Sequence, residues 1–127
     1  VEWLIYLLLG LLLLLTVIKR LPVKGVANMS ADDLAARVKN KKDQPLIIDV
    51  REEHEFKSGH IRGSKNFPLS RLHESAAKLP NNKELVLICR SGNRSKSAAK
   101  KLRKQGFQHL INVQGGISSW RGETVKK

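Results

Sequence analysis

The stretch L-V-L-I-C-R-S-G-N-R-S, Leu85 to Ser95, contains the only cysteine of the chain. Glu84 to Ile88 is a short apolar run of the kind that forms a strand buried on both faces. Arg90 to Arg94 is a polar loop, and Ser95 to Gln105 reads as a helix rich in alanine and lysine that Gly106 stops. Free cysteine is among the most buried residue types, so on its own Cys89 would be a small core filler. The residues after it change that reading. Gly92 and Asn93 readily adopt positive φ, which lets the loop curl and aim successive N–H groups at one point. The start of the following helix adds free N–H groups and the positive end of its dipole. Arg94 supplies a fixed charge and Arg90 a second. Together these groups favour a cysteine thiolate and would hold an anion above it.

The rest of the chain gives this unit its setting. Ser30-Ala-Asp-Asp33 opens a helix, with Ser30 as cap, Asp33 near the positive end, and Leu34, Ala35 and Val38 as the apolar stripe. Pro45 to Val50 is another short apolar strand. Arg51 to Gly63 is charged and broken by glycines, so turns are expected. Lys65 to Phe67 reads as a brief strand, Leu69 to Leu79 as a helix burying Leu72, Ala76 and Leu79, and Leu110 to Val113 as a strand. Gly115-Gly116 and a short helix toward Trp120 follow. Apolar strands alternating with helices predict an α/β fold, a parallel sheet covered by helices on both faces. In such sheets ligands bind beyond the carboxyl ends of strands, which is where Cys89 emerges.

The first twenty residues differ in kind: V-E-W-L-I-Y-L-L-L-G-L-L-L-L-L-T-V-I-K-R carries no charge from Trp3 to Ile18. Sixteen helical residues rise about 24 Å, slightly short of the roughly 30 Å bilayer core. Glu2 and Lys19 can snorkel to make up the difference, and Trp3 and Tyr6 suit an interface. A signal peptide would place positive charge before the apolar run, and a core helix would show a polar face. Residues 1–20 are therefore expected to be a single-pass transmembrane anchor, reaching the membrane through residues 2–19. Residues 21–29, with breakers Pro22 and Gly25, are expected to be a linker, and 30–127 the folded domain. Lys19, Arg20 and Lys24 place that domain on the cytoplasmic side of the cell membrane.

Charge is lopsided. The chain holds 24 Lys and Arg against 11 Asp and Glu, and residues 1–20 take only Lys19, Arg20 and Glu2 of these. A field of that sign attracts anionic lipid or small anions. Aromatics are sparse and not interleaved with the basic residues, which argues against a nucleic-acid partner. One cysteine rules out an intrachain disulfide and any multi-cysteine metal centre within the chain, and suits a reducing compartment. Four scattered histidines (His54, His60, His73, His109) lack metal-ligand spacing, so no metal site is expected.

The loop C-R-S-G-N-R-S resembles that of the single-domain rhodaneses, sulfurtransferases whose loop runs from a cysteine to an arginine five positions on. Asp49-Val50-Arg51-Glu52, Glu55-Phe56 and G-H-I-R-G-S-K-N-F-P (Gly59 to Pro68) are similar to the family's N-terminal signature. V-Q-G-G-I-S-S-W (Val113 to Trp120) is similar to its C-terminal one. The three signatures stand in order over about Ser30 to Arg121; Ser64 stands where the family more often has alanine, and the apolar segment is no part of the family fold.

The resemblance implies Cys89 as the catalytic nucleophile, with Arg90, Ser91, Gly92, Asn93, Arg94 and Ser95 binding the substrate anion. Asp49 and Arg51 support the site, as a structural ion pair rather than a catalytic one. His60 belongs to the structural signature, and Trp120 to a packed contact near the rim. The implied reaction is ping-pong sulfur transfer, which needs no metal or organic cofactor. Cys89 takes the outer sulfur of a donor such as thiosulfate, becomes a persulfide, and passes that sulfur to cyanide, a thiol or a protein acceptor. Related phosphatases and arsenate reductases use a loop one residue longer, which disfavours them here. A sulfur-carrier or regulatory binding module at the membrane is the alternative.

Overall fold

Four successive residues with no exposed surface, Leu85 to Ile88, require neighbours on both sides and both faces, and the fold is built to supply them. The computed structural model describes residues 1–21 and 23–126; Pro22 and Lys127 lie outside the described residues. In chain order the elements are α1 (Glu2–Arg20), β1 (Ala27–Ser30), α2 (Ala31–Lys39), β2 (Leu46–Asp49), α3 (Glu53–Ser58), β3 (His60–Ile61) and β4 (Lys65–Asn66), then α4 (Leu72–Ser75), β5 (Leu85–Ile88), α5 (Asn93–Lys104), β6 (Leu110–Gln114) and β7 (Thr124–Val125). Single 3-10 turns occupy Leu69–Arg71, Ala76–Lys78 and Gly116–Ser119.

The strands β1, β6, β5, β2 and β4 lie side by side in that order, and every neighbouring pair is parallel. β5 is central, with Leu85 opposite both Leu46 and Leu110. Strand alternation divides the core into two layers. Ile48, Val50, Leu85, Leu87 and Cys89 pack with α4 and α5 on one face, through Leu72, Ala98, Ala99 and Leu102. Ile47, Val86, Ile88, Ile111 and Val113 face the other way, against Ala31 and Leu34 of α2 and Ile61. The expected parallel sheet with helices on both faces is thus what forms.

α1 precedes the sheet as a 19-residue helix. Its segment Glu2–Lys19 has a mean hydropathy of 2.0 and none of it is buried against the rest of the chain. The cap of α2 forms as expected, Ser30 Oγ accepting the N–H of Asp33 at 3.0 Å.

Several local expectations are corrected. The linker is shorter than 21–29, because Ala27–Ser30 pairs with Ile111–Gln114 as an edge strand and Val26 already packs in the core. A-N-M-S has no alternation to announce a strand; its partner β6 imposes one. The segment read as turns holds α3 and β3. A capping box formed by Glu52 and Glu55 starts α3. Stacking of Phe56 on His60, with ring centroids 3.6 Å apart, closes it. β3 in turn pairs antiparallel with β7, an element with no sequence signal, joining His60 to Val125 and Ile61 to Thr124. The stretch Leu69–Leu79 does bury Leu72, Ala76 and Leu79, but as one α turn between two 3-10 turns rather than a continuous helix.

Candidate active site around Cys89

Cys89 leaves β5 at the carboxyl edge of the sheet with 1% of its surface exposed. Opposite the end of β5 lies the end of β2, with Ile88 level with Asp49 and the Val50 N–H donating to the Ile88 carbonyl at 2.9 Å. The chain then turns so tightly that the Gly92 amide comes back to Cys89 and donates to Sγ at 3.0 Å. Gly92 makes this possible with φ +107°, a conformation other residues rarely adopt. It is also the N-cap of α5. The sulfur therefore sits where the first N–H groups of a twelve-residue helix lack intrahelical partners.

The back of the loop is fastened separately. The 3-10 turn after β6 directs the Ile117 N–H to the Cys89 carbonyl at 2.8 Å and the Ser118 N–H to the Arg90 carbonyl at 2.9 Å. Gly116 permits the approach. A Cβ there would collide with the Cys89 carbonyl oxygen and stand 2.7 Å from the Arg90 carbonyl carbon. The G-G pair of the C-terminal signature is thus a latch on the loop.

Beneath the sulfur lies a buried polar chain. Cys89 Sγ is 3.4 Å from Ser95 Oγ, which also contacts the Gly92 carbonyl at 3.0 Å and forms a short hydrogen bond with Asn112 Oδ1. Ser95 and Asn112 are both essentially unexposed. Ser95 was expected to begin the helix. It lies instead in the first turn of α5, which starts at Asn93, and its hydroxyl points back at the thiol. The difference arises because Gly92, not Ser95, takes the non-helical cap conformation.

The two loop arginines part company. Arg94 turns to Glu55 of α3, its Nη1 and Nη2 donating to Oε1 and Oε2 at 2.6 and 2.8 Å. That bidentate pair holds the Glu55 carboxyl down to about 2, with burial opposing the shift. The Arg94 guanidinium is raised in turn, chiefly by the hydrogen bond to Glu55, with the nearby Cys89 a lesser contributor. Glu55 gave no signal of this role in sequence beyond standing in the E-F pair of the N-terminal signature. Arg90, Ser91 and Asn93 lie exposed at the rim.

Asp49 and Arg51 form the expected ion pair, Arg51 Nη2 to Asp49 Oδ2 at 2.8 Å, with both residues buried. Arg51 Nη2 also donates to the Gly59 carbonyl at 2.7 Å, and Asn66 Nδ2 bridges the Asp49 and Arg51 carbonyls. These bonds fix the turn after β2 that carries the chain into α3 and Glu55. Among the described residues no hydrogen bond joins the Asp49 or Arg51 side chain to the thiol. His60 is similarly engaged, its Nδ1 2.7 Å from the Phe56 carbonyl. Trp120 packs half-buried against the second core layer.

A parallel α/β sheet thus presents a buried cysteine at a strand–loop–helix turn, with the Gly92 amide on the sulfur. The model of the rhodanese-like domain matches residues 30–123, and the chain belongs to that family. Among its relatives, YrkF of Bacillus subtilis (strain 168) is 42% identical over 91 residues, covering 71% of this chain and 49% of YrkF. The thiosulfate sulfurtransferase GlpE of Stutzerimonas stutzeri (strain A1501) is 36% identical over 76 residues, 60% of this chain and 70% of that protein. The chain thus spans about half the length of the first relative and 70% of the second. The crystal structure of a rhodanese-related protein from Thermoplasma volcanium superposes with a TM-score of 0.70 at 35% identity, covering 80% of this chain and 99% of that one.

Proposed function

We propose that this chain is a membrane-anchored sulfurtransferase that carries sulfane sulfur on Cys89. The observation that carries the reading is the Gly92 N–H donating to Cys89 Sγ at 3.0 Å at the start of α5. An amide and a helix start aimed at sulfur stabilise it as an anion, and would equally stabilise a terminal persulfide sulfur one bond further out. The loop ends at Arg94, five positions after the cysteine, which suits one added sulfur atom rather than a tetrahedral oxyanion.

In the first half-reaction the Cys89 thiolate attacks the outer sulfur of thiosulfate. The new bond is Cys89 Sγ–S; the bond that breaks is sulfur–sulfur in the donor, and its electron pair leaves with sulfite. In the second, an acceptor thiolate or cyanide attacks the terminal sulfur, and the electron pair of the Cys89 S–S bond returns to Sγ. No proton transfer is obligatory, because nucleophile and leaving group are both anions.

Residues 2–19 act as a single-pass anchor in this reading. Their exposed apolar surface supports an anchor, and the cations Lys19, Arg20 and Lys24 at and beyond its end support a cytoplasmic domain. Asp49 and Arg51 support the loop from behind, and Arg90, Ser91, Asn93 and the α5 start receive the donor's sulfonate.

The test is intact mass. The full chain in detergent, incubated with thiosulfate, is expected to gain the mass of one sulfur atom and to lose it on adding cyanide. No adduct, or an adduct that persists in Cys89→Ser, overturns the assignment.

A further inference from the structure

Helix α5 carries an uncompensated charge that sulfur transfer does not use. N-R-S-K-S-A-A-K-K-L-R-K contains six basic residues and no acidic one. Arg94 is paired with Glu55, but among the described residues no carboxylate lies within ion-pair distance of Lys96, Lys100, Lys101, Arg103 or Lys104. Lys96, Lys100 and Lys104 follow at four-residue intervals, and Arg103 falls beside them, so the cations share one face. Like charges at that spacing weaken a helix, and Lys96 stands in the first turns, where the helix dipole also disfavours a cation. The opposite face, Ser95, Ala98, Ala99 and Leu102, is the buried one.

The position of this face relative to α1 gives it a partner. The chain leaving α1 is fastened to α5. Val26 packs in the core layer that contains Ala98 and Leu102, and Val23 packs against the same layer. The Arg103 guanidinium lies across Gly25, where an added Cβ would be 2.7 Å from its Cζ. Lys96 Nζ reaches the carbonyl of Lys19 at 3.5 Å. Between the end of α1 and α5 lies a cleft of about 340 Å³. Ile18, Leu21 and Val23 form its apolar side, and Lys19, Lys96 and Lys100 its cationic side.

We infer that the basic face of α5 is a docking surface for anionic phospholipid headgroups, which holds the domain against the bilayer at the foot of α1. The inference rests on the membrane-anchor reading of residues 2–19. A headgroup phosphate would meet Lys96 and Lys100 in the cleft, with Lys104 about one helical turn further along the same face. Asn93 also lines the cleft. Docking therefore sets the rim of the Cys89 loop close to the membrane plane, where a membrane-bound sulfur donor or acceptor would be reached without a long excursion.

The test uses the full chain in lipid nanodiscs of phosphatidylcholine alone or mixed with phosphatidylglycerol, with lysine acetylation rates read by peptide mass spectrometry. Lys41, beyond α2 on the other face of the sheet, serves as internal reference. Acetylation of Lys100 and Lys104 is expected to slow several-fold in the anionic discs, and high salt should abolish the difference. Equal rates in both discs overturn the docking surface while leaving the anchor standing. A chain that fails to incorporate into either disc overturns the anchor, and this inference with it.

Discussion

The Arg94 guanidinium meets the Glu55 carboxylate through two hydrogen bonds, 2.6 and 2.8 Å, across a separation of 39 residues. The arginine at the end of the cysteine loop thus already holds an anion, from its own chain. The guanidinium plane is fixed from the α3 side. The pair therefore acts as a brace. It ties the first turn of α5 to the first turn of α3, and the buried Asp49–Arg51 pair stiffens the turn between β2 and α3.

The brace has a defined pH window. Glu55 is held down to about 2 in the folded protein, first by the Arg94 hydrogen bond, against roughly 4.3 in an unfolded chain. A depressed carboxylate contributes stability that is fully present above the unfolded value and disappears as pH falls through the folded one. Carbon-13 titration of the Glu55 carboxyl should show a midpoint well below 4; a midpoint near the unfolded value contradicts the brace. Glu55→Gln should cost about 1 kcal/mol at neutral pH, since a partly exposed pair is screened. It should also slow sulfur loading by roughly tenfold, through a loop no longer held in one geometry.

The latch on the other side of the loop makes a sharper prediction. Gly116 has φ +56°, and a Cβ would be driven into the carbonyls of Cys89 and Arg90. Backbone cannot swing aside as a side chain can. Gly116→Ala should destabilise the domain by about 2–4 kcal/mol, which for a domain near 100 residues lowers Tm by on the order of 10 °C. Thermal unfolding followed by circular dichroism measures it, and a Tm within a degree or two of the parent would mean the loop and turn separate without cost.

Much of this was legible in the sequence because burial writes itself into short apolar runs. L-I-I-D and L-V-L-I are strands between two helical layers, and a strand without a polar side has few alternatives. The cysteine's place at the strand end, Gly92, and the arginine spacing followed from the same stretch. What the sequence concealed depends on partners far along the chain. A-N-M-S is a strand only because β6 leaves an open edge, and T-V at 124–125 only because β3 does. Glu55 looked like one of several acidic residues in a charged segment, and only the fold sets it against Arg94. Ser95 was read as the beginning of a helix, whereas the positive φ of Gly92 moves that beginning forward and turns the hydroxyl under the sulfur.

Because Glu55 occupies Arg94, the proposed sulfur transfer would leave long-range attraction of an anionic donor to Arg90. That residue is exposed at the rim, its carbonyl is held by the Ser118 N–H, and no carboxylate pairs with it among the described residues. A free cation at the mouth of an amide cradle raises the local concentration of a dianion and is screened by salt. Arg90→Ala should therefore raise KM for thiosulfate several-fold, leave kcat within about twofold, and change stability by less than about 0.5 kcal/mol, as for other exposed side chains. It should also flatten the dependence of kcat/KM on ionic strength. Arg94→Ala should behave differently, lowering kcat and Tm together, because it removes a brace rather than an attractor. If the two variants prove alike in steady-state kinetics and thermal unfolding, the division of labour between the arginines is wrong, and the loop amides with the start of α5 capture the donor by themselves.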